Sequence, residues 1–522
     1  MHRLVIALVS LIGLTGAAFV ASYLLIFSAL TDRAAALAPA QTALYVNVYL
    51  QPSTAQQMNV AGLVGRLPGF ADDASLDDKI DQVAQNLMGA VGVDYRAQLK
   101  PWLGDQVAFA AWPGEEGIAE PALVLIIDVK DREAAESALA ALAAERGTGV
   151  DAEEHAGVEL MVIDDGTAYA FVDEMLAVGP DAAVVRAVID ASRGAGSLSQ
   201  REDFQATVDG LPGDHLALAF MDIAALAASA DMAEGFGGYR TAGAVLVAEP
   251  DGLRLSGSAP LARDVAASPD AGPDLGSAAS SLVDWMPADT IAEMTVFGLP
   301  RLLESLESAA AGTPQGAELG NVLDGLRLVA ALGFGIDLDA DVLPLLDREV
   351  ALAVSGVSDV PSGQLLLRPN DLDAAAASLE RIATQLESAG GQRRDDEVIG
   401  GQLTVLTLPE IGDVAYAVTD EVVILGLGAD DVEAALDAHA SGDSLAANGD
   451  YRRTFELAGT RGGTEIYVDV GALAGVVGDE AALPDDARDI LAQIGTFGFT
   501  AASRDDHLEF HAVLTIDDAR AE

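Results

Sequence analysis

Apolar and polar positions along most of this chain follow two rhythms. Short runs alternate with period two and longer runs follow a helical period. Thr42–Leu50 (TALYVNVYL) alternates and is rich in β-formers, which predicts a strand. Helices are expected at Gln56–Gly65 and Leu76–Gly89, separated by the turn Pro68-Gly69. Strands are expected at Gln106–Trp112 and Ala122–Asp128, and Asp131 caps a helix running from Arg132 to about Arg146. Val158–Ile163, Ala168–Val172 and Met175–Gly179 are three short strands. Helices follow at Asp181–Arg193 and about Arg201–Gly210, then a strand at Leu216–Asp222 and a hairpin of Thr241–Val247 with Leu253–Ala259.

The same order then recurs. Asp173–Leu226 lies without a gap on Asp420–Leu473, and fifteen of the 54 positions are identical, Asp190/Asp437, Asp203/Asp450 and Asp222/Asp469 among them. Roughly five are expected by chance in a chain of this composition. Gly335-Ile336-Asp337 with Pro344–Ala351 lies in the same way on Gly92-Val93-Asp94 with Pro101–Ala108. Strands come in runs of two and three, and most connections are too short for parallel crossovers. The fold class expected is α+β: an N-terminal transmembrane helix, then two duplicated, largely antiparallel sheet-plus-helix units with helices on one face. The boundaries are 4–30 for the anchor, 39–262 for the first repeat, 263–281 for a linker rich in Ala, Ser, Pro, Gly and Asp, and 286–517 for the second repeat.

Leu4–Leu30 is 27 residues without a charge. A spanning helix needs about 20 apolar residues and a cleaved signal has about 7–15, so length favours an uncleaved single-pass anchor. The long acidic remainder then lies outside, which places the protein in the cell membrane with its C-terminal region extracytoplasmic.

The chain has 82 acidic against 28 basic residues, and three of the latter are lysines, Lys79, Lys100 and Lys130. Such a surface repels nucleic acid. Weak capture of divalent cations is compatible with it. There is no cysteine, which removes disulfides, thiol catalysis and thiolate metal sites.

A further pattern runs through the first half: Pro39, Tyr45-Val46-Asn47-Val48, Leu67-Pro68-Gly69-Phe70, Gly92-Val93-Asp94-Tyr95 and Lys100-Pro101-Trp102-Leu103-Gly104-Asp105. It resembles a bacterial envelope family catalogued as domain of unknown function family 3352. The resemblance implies a membrane segment followed by a large extracytoplasmic region. That family has no established activity, so no functional residue is carried over.

Few constellations could carry chemistry. Gly426-Leu427-Gly428 sits between a strand and a helix, as a dinucleotide fingerprint does, but the third glycine is missing and Asp430 and Asp431 would face the phosphates. Asp337, Asp339 and Asp341 have the spacing that opens a calcium loop, but Val342 and Arg348 stand where glycine and glutamate are required. His507, Glu509 and His511 share one face of the last strand and are the metal candidates. An exposed polar face on a terminal strand accounts for the same spacing. Trp102, Trp112 and Trp285 read as core or turn anchors. No nucleophile or P-loop motif occurs and no cofactor is implied. The expected function is a non-enzymatic binding or scaffolding ectodomain, with an envelope protein as the candidate partner. The alternatives are a carrier or sensor of an apolar ligand and a metal-dependent hydrolase.

Overall fold

The computed structural model describes residues 32–67, 94–114, 122–146, 149–229, 238–261, 275–310, 335–356, 362–398, 401–409, 412–477, 493–504 and 506–517, with isolated positions 81, 82, 85, 325, 327, 328, 330, 331 and 491. The expected anchor Leu4–Leu30, nearly all of Leu76–Gly89 and most of the linker lie outside the described residues. Among the described residues no helix is long and apolar enough to cross a membrane. The chain divides into two compact units, residues 1–226 with 241–250 and residues 227–240 with 251–522.

In chain order the first unit contains β1 (Leu44–Tyr49), α1 (Thr54–Arg66), β2 (Leu103–Trp112), β3 (Ala122–Val129), α2 (Arg132–Arg146), β4 (Val150–His155), β5 (Val158–Ile163), β6 (Ala168–Val172), β7 (Met175–Gly179), α3 (Ala182–Asp190), α4 (Glu202–Val208), β8 (Ala217–Asp222), which leads into α5 (Ile223–Ser229), and β9 (Thr241–Glu249). The strands pair antiparallel in the order β4-β5-β6-β7-β3-β2-β1-β8-β9. The chain's first strand is thus central, with Leu44 opposite Ala111 on one side and Met221 on the other.

The second unit contains β10 (Gly252–Pro260), β11 (Thr290–Phe297), α6 (Leu299–Ala310), β12 (Glu349–Ser355), β13 (Ser362–Arg368), α7 (Leu372–Ser388), β14 (Gln392–Val398), β15 (Gly401–Leu408), β16 (Gly412–Val418), β17 (Val423–Gly426), α8 (Ala429–Ser441), α9 (Gly449–Ala458), β18 (Thr464–Asp469), α10 (Val470–Val477), β19 (Ile494–Ser503) and β20 (His507–Ile516). Its antiparallel order is β14-β15-β16-β17-β13-β12-β11-β18-β19-β20-β10.

Helix starts follow from short polar side chains that satisfy the free amides of the first turn. Ser53 accepts from Gln56 N, Asp131 from Ala134 N, Asp371 from Ala374 N and Asn448 from Asp450 N and Tyr451 N. Asp181 takes two amides, those of Ala183 at 2.8 Å and Val184 at 3.0 Å, and α3 then buries Val184, Val185, Val188 and Ile189. Asp181→Ala is expected to cost about 1 kcal/mol, read as a lower urea midpoint at unchanged slope for the first unit's transition in the full chain. Gly442 and Gly459 end α8 and α9 at φ 76° and 77°, a left-handed conformation that side chains resist.

Helices cover both sheet faces, which corrects the one-face expectation. Successive residues of a strand face opposite ways, and Ile126 packs with α3 whereas Ile127 packs with Trp102, Leu176 and Ala135 of α2. The second unit does the same: Leu366 joins the core with Val432 of α8, and Leu367 the core with Leu379 of α7. Strand periodicity predicts that both faces are apolar in such a case, but it does not say which helix goes to which. Each second face is only partly covered. Leu123, Leu125 and Met221 remain exposed in the first unit, and Met294 and Leu352 in the second.

Candidate functional site

Three strands of the second unit carry their polar residues on the wrong side for a half-buried sheet. On β11, Glu293 and Thr295 are buried and Met294 between them is exposed. On β18, Glu465 is wholly buried. On β12, Glu349 is buried while Leu352 is exposed. Register brings these positions together. Thr295 is opposite Glu465, and Glu293 is opposite Tyr467 and Ala353. Glu293 and Glu465 are therefore diagonal neighbours on the face that α9 covers.

The hydrogen bonds divide this group in two. Glu349 is fully engaged: Oε1 accepts from Ser280 Oγ at 2.8 Å and from the amides of Ser281 and Leu282, and Oε2 accepts from Ser281 Oγ. The end of the expected linker is thus bound to β12. Glu465 Oε2 accepts from Tyr451 OH at 3.1 Å and pairs with Arg461 at 3.5 Å. Arg461 donates to Tyr451 OH at 2.9 Å and lies over the rings of Tyr451 and Phe455. Glu293 Oε2 accepts from Thr295 Oγ1 at 3.1 Å. The other oxygens, Glu293 Oε1 and Glu465 Oε1, are buried with no hydrogen-bond partner among the described residues.

Burial pushes the Glu293 carboxyl well above the ordinary range, and the neighbouring Glu465 pushes it further, against Thr295 and Arg461. Burial also raises Glu465, against the opposing effects of Arg461 and Tyr451. Burial and both carboxylates raise the Tyr451 phenol, so it stays a donor.

The first unit has uncharged residues at the corresponding places: Tyr45 opposite Phe220 where Glu293 is opposite Tyr467, Leu218 where Glu465 stands, and Gln106 where Glu349 stands. An acid close to these places, Asp32, accepts from Tyr45 OH at 2.6 Å, Asn47 Nδ2 at 2.8 Å and Ala35 N at 3.0 Å. Burial raises it, and those bonds oppose the rise.

The polar row continues from Glu465 to Thr500, His511 and Ser256 on successive strands. Of the three metal candidates, the structure brings two together. His511 Nε2 lies 3.1 Å from Glu509 Oε1, and Nδ1 lies 3.1 Å from Ser256 Oγ. His507 instead contacts Asp506 at 2.7 Å on the exposed end of β20. Burial lowers the His511 imidazole despite Glu509, so it is neutral at neutral pH. Among the described residues no group of three or more His, Asp or Glu is placed to hold a metal ion.

The remaining motifs serve structure. Asp337 accepts the amides of Asp339 and Ala340, Asp339 pairs with Arg327, and Asp341 pairs with Arg381, so the three aspartates do not converge. Asp431 accepts the amide of Leu427 at 2.8 Å, in front of α8. Trp102, Trp112 and Trp285 are buried, and Trp285 stacks on His439 at 3.6 Å. Two clefts among the described residues are open to solvent. One lies along α7 beside Asp341, Arg381 and Gln385, and the other lies between Arg452, Phe455, Thr460 and Arg461. Neither is an enclosed apolar cavity.

What this arrangement can do chemically is hold a proton. It presents buried carboxyls and hydroxyls beside one partly exposed guanidinium, and no group in it is set against a base as a nucleophile. Sequence reading missed Glu293, Glu349 and Glu465. The available signal was a glutamate in phase with small or aromatic residues that face inward, as in Glu465-Ile466-Tyr467.

A family model described as Protein of unknown function (DUF3352) matches residues 4–514. No curated protein matches. Solved structures of TP0453 in crystal forms III, IV and I are similar at 9%, 8% and 9% identity, covering 45%, 43% and 45% of this chain and 82%, 79% and 80% of theirs. Each has a TM-score of 0.24.

Proposed function

We propose a role on one premise: this chain belongs to the family of proteins of unknown function DUF3352. The role is that of a single-pass, membrane-anchored extracytoplasmic protein. Its ectodomain is built from two copies of one α+β unit and binds or scaffolds instead of catalysing.

The observation that carries this reading is which contacts recur. Thr207 Oγ1 donates to Asp203 O and meets Thr241 Oγ1, as Thr454 Oγ1 donates to Asp450 O and meets Thr496 Oγ1. The rings of Phe204 and Phe220 meet edge to face at 5.1 Å, and those of Tyr451 and Tyr467 at 5.2 Å. Gln106 receives the amides of Arg33 and Ala34, as Glu349 receives those of Ser281 and Leu282. Leu198 N donates to Ala38 O and Leu445 N to Met286 O, both at 2.8 Å. Every one of these contacts closes a turn, starts a helix or fixes a helix to a strand. The charged interior groups of the second unit do not recur. What was kept in both copies is a shape.

The anchor rests on the uncharged run Leu4–Leu30. The full chain is expected in the membrane fraction after alkaline washing, with its C-terminal region digested by protease added outside intact spheroplasts. A chain starting at Asp32 is expected in the soluble fraction. A full chain released by washing, or protected from external protease, would overturn the placement.

A further inference from the structure

We propose that Glu293 and Glu465 form a proton-binding site: the folded second unit carries one proton on this pair at neutral pH and is weakened when alkaline pH removes it.

The argument begins with charge. Three carboxylates lie on the neighbouring strands β11, β12 and β18, and each side chain is buried. Glu349 is compensated by four donors. The other two share one cation, Arg461, which reaches Glu465 from the loop before β18. Two like charges in one water-poor place cannot both persist, and the cheaper state protonates one of them.

Geometry gives the proton a use. Glu293 Oε1 and Glu465 Oε1 are acceptors without donors among the described residues. Neutral glutamic acid is a donor as well as an acceptor, so a proton on Glu293 gives one buried, unpartnered acceptor a hydrogen to donate. The groups facing the pair are known from each element packed on it. They are Tyr451 from α9, Glu349 from β12, Thr295 from β11, Tyr467 from β18, Ser280 before β11, and Arg461. Arg461 also lines the open cleft beside α9. The first unit, with Tyr45 and Leu218 at these places, lacks the pair, so the coupling belongs to the second unit alone.

The sign follows from linkage. A carboxyl whose native pKa lies above its unfolded value stabilises the fold fully below the unfolded value, about 4.3 for glutamate. That contribution is lost as pH rises toward the native value. Across that window the native state holds one more proton than the unfolded chain, so the folding equilibrium constant of the second unit falls about tenfold per pH unit.

The test uses the full chain. Infrared difference spectra at pH 7 of the native protein minus Glu293→Gln are expected to show the carbonyl stretch of one neutral carboxylic acid. Asp32, present in both, cancels. Urea unfolding between pH 5 and 8 is expected to show a folding constant that falls with rising pH, by up to about tenfold per unit, for the native protein and a shallower fall for Glu293→Gln. Glu293→Leu, which removes the same carboxyl, provides the second variant if the first does not fold. Absence of the neutral-acid band from the native protein, or a slope that persists unchanged in a folded variant, overturns the proposal.

Discussion

Arg461→Met is expected to be the most damaging single change in the second unit, with a loss of about 3 kcal/mol at neutral pH. Removing one partner of a buried ion pair leaves the other charge without compensation, and that commonly costs 3–5 kcal/mol. The lower end applies because the Arg461 side chain is one third exposed, whereas Glu465 is wholly buried. Methionine keeps most of the packing over Tyr451 and Phe455 but removes the hydrogen bond to Tyr451 OH. The loss should shrink as pH falls, because Glu465 can then enter the fold as a neutral acid. Denaturant unfolding of the variant at pH 5 and pH 8 checks this. A loss of equal size at both values would mean that Arg461 acts through packing alone. Arg461→Met with Glu465→Gln should recover most of the stability at pH 8, since no charge is then left behind.

The second large effect comes as a matched pair. A Cβ on Gly243 would lie 2.7 Å from Thr207 Cγ2, and one on Gly498 would lie 2.4 Å from Thr454 Cγ2. Neither threonine can turn away, because each hydroxyl is bonded to a helix carbonyl and to a second threonine on the sheet. Gly243→Ala should therefore destabilise the first unit and Gly498→Ala the second, each by about 1–3 kcal/mol from overpacking. Thr207→Ser and Thr454→Ser, which delete the obstructing methyl and keep the hydroxyl, should each rescue the alanine in their own unit. Rescue in one unit and not in the other would count against a common design. The readout is the urea unfolding profile of the full chain, and serine alone serves as control.

Much of the fold was legible because local chemistry and tertiary demand agree. The segments expected at Val158–Ile163, Ala168–Val172 and Met175–Gly179 are strands with those same bounds, since their alternation matches real burial. The helix after Asp131 spans Arg132–Arg146 as expected, because its cap is a strong local signal. Strands β4 and β14 were not legible. Val150–His155 and Gln392–Val398 carry charges on both faces and bury almost nothing. They are strands because a neighbour offers its backbone, and they lie at the margins of their sheets, where charge blocks further pairing. The candidate site failed differently. Its inward side is set by the register of β11 with β12 and β18, which no single segment encodes, so nothing in the sequence singled out Glu293 and Glu465. His511 and Glu509 were placed on one face correctly, but whether that face meets water was decided by β10, through Ser256.

The central place of β1 has a consequence for how the protein is made. Its partner on one side, β2, follows soon in the chain, but β8 does not exist until Met221 has been synthesised. Until then one edge of β1 stays open, with amides and carbonyls free to pair with any extended chain. Closing that edge needs a contact across most of the first unit, and long-range pairing is slow. A chain emerging N-terminus first is therefore most vulnerable to misassembly in the interval between β1 and β8, and a pause or truncation there exposes the strand on which the first unit is built.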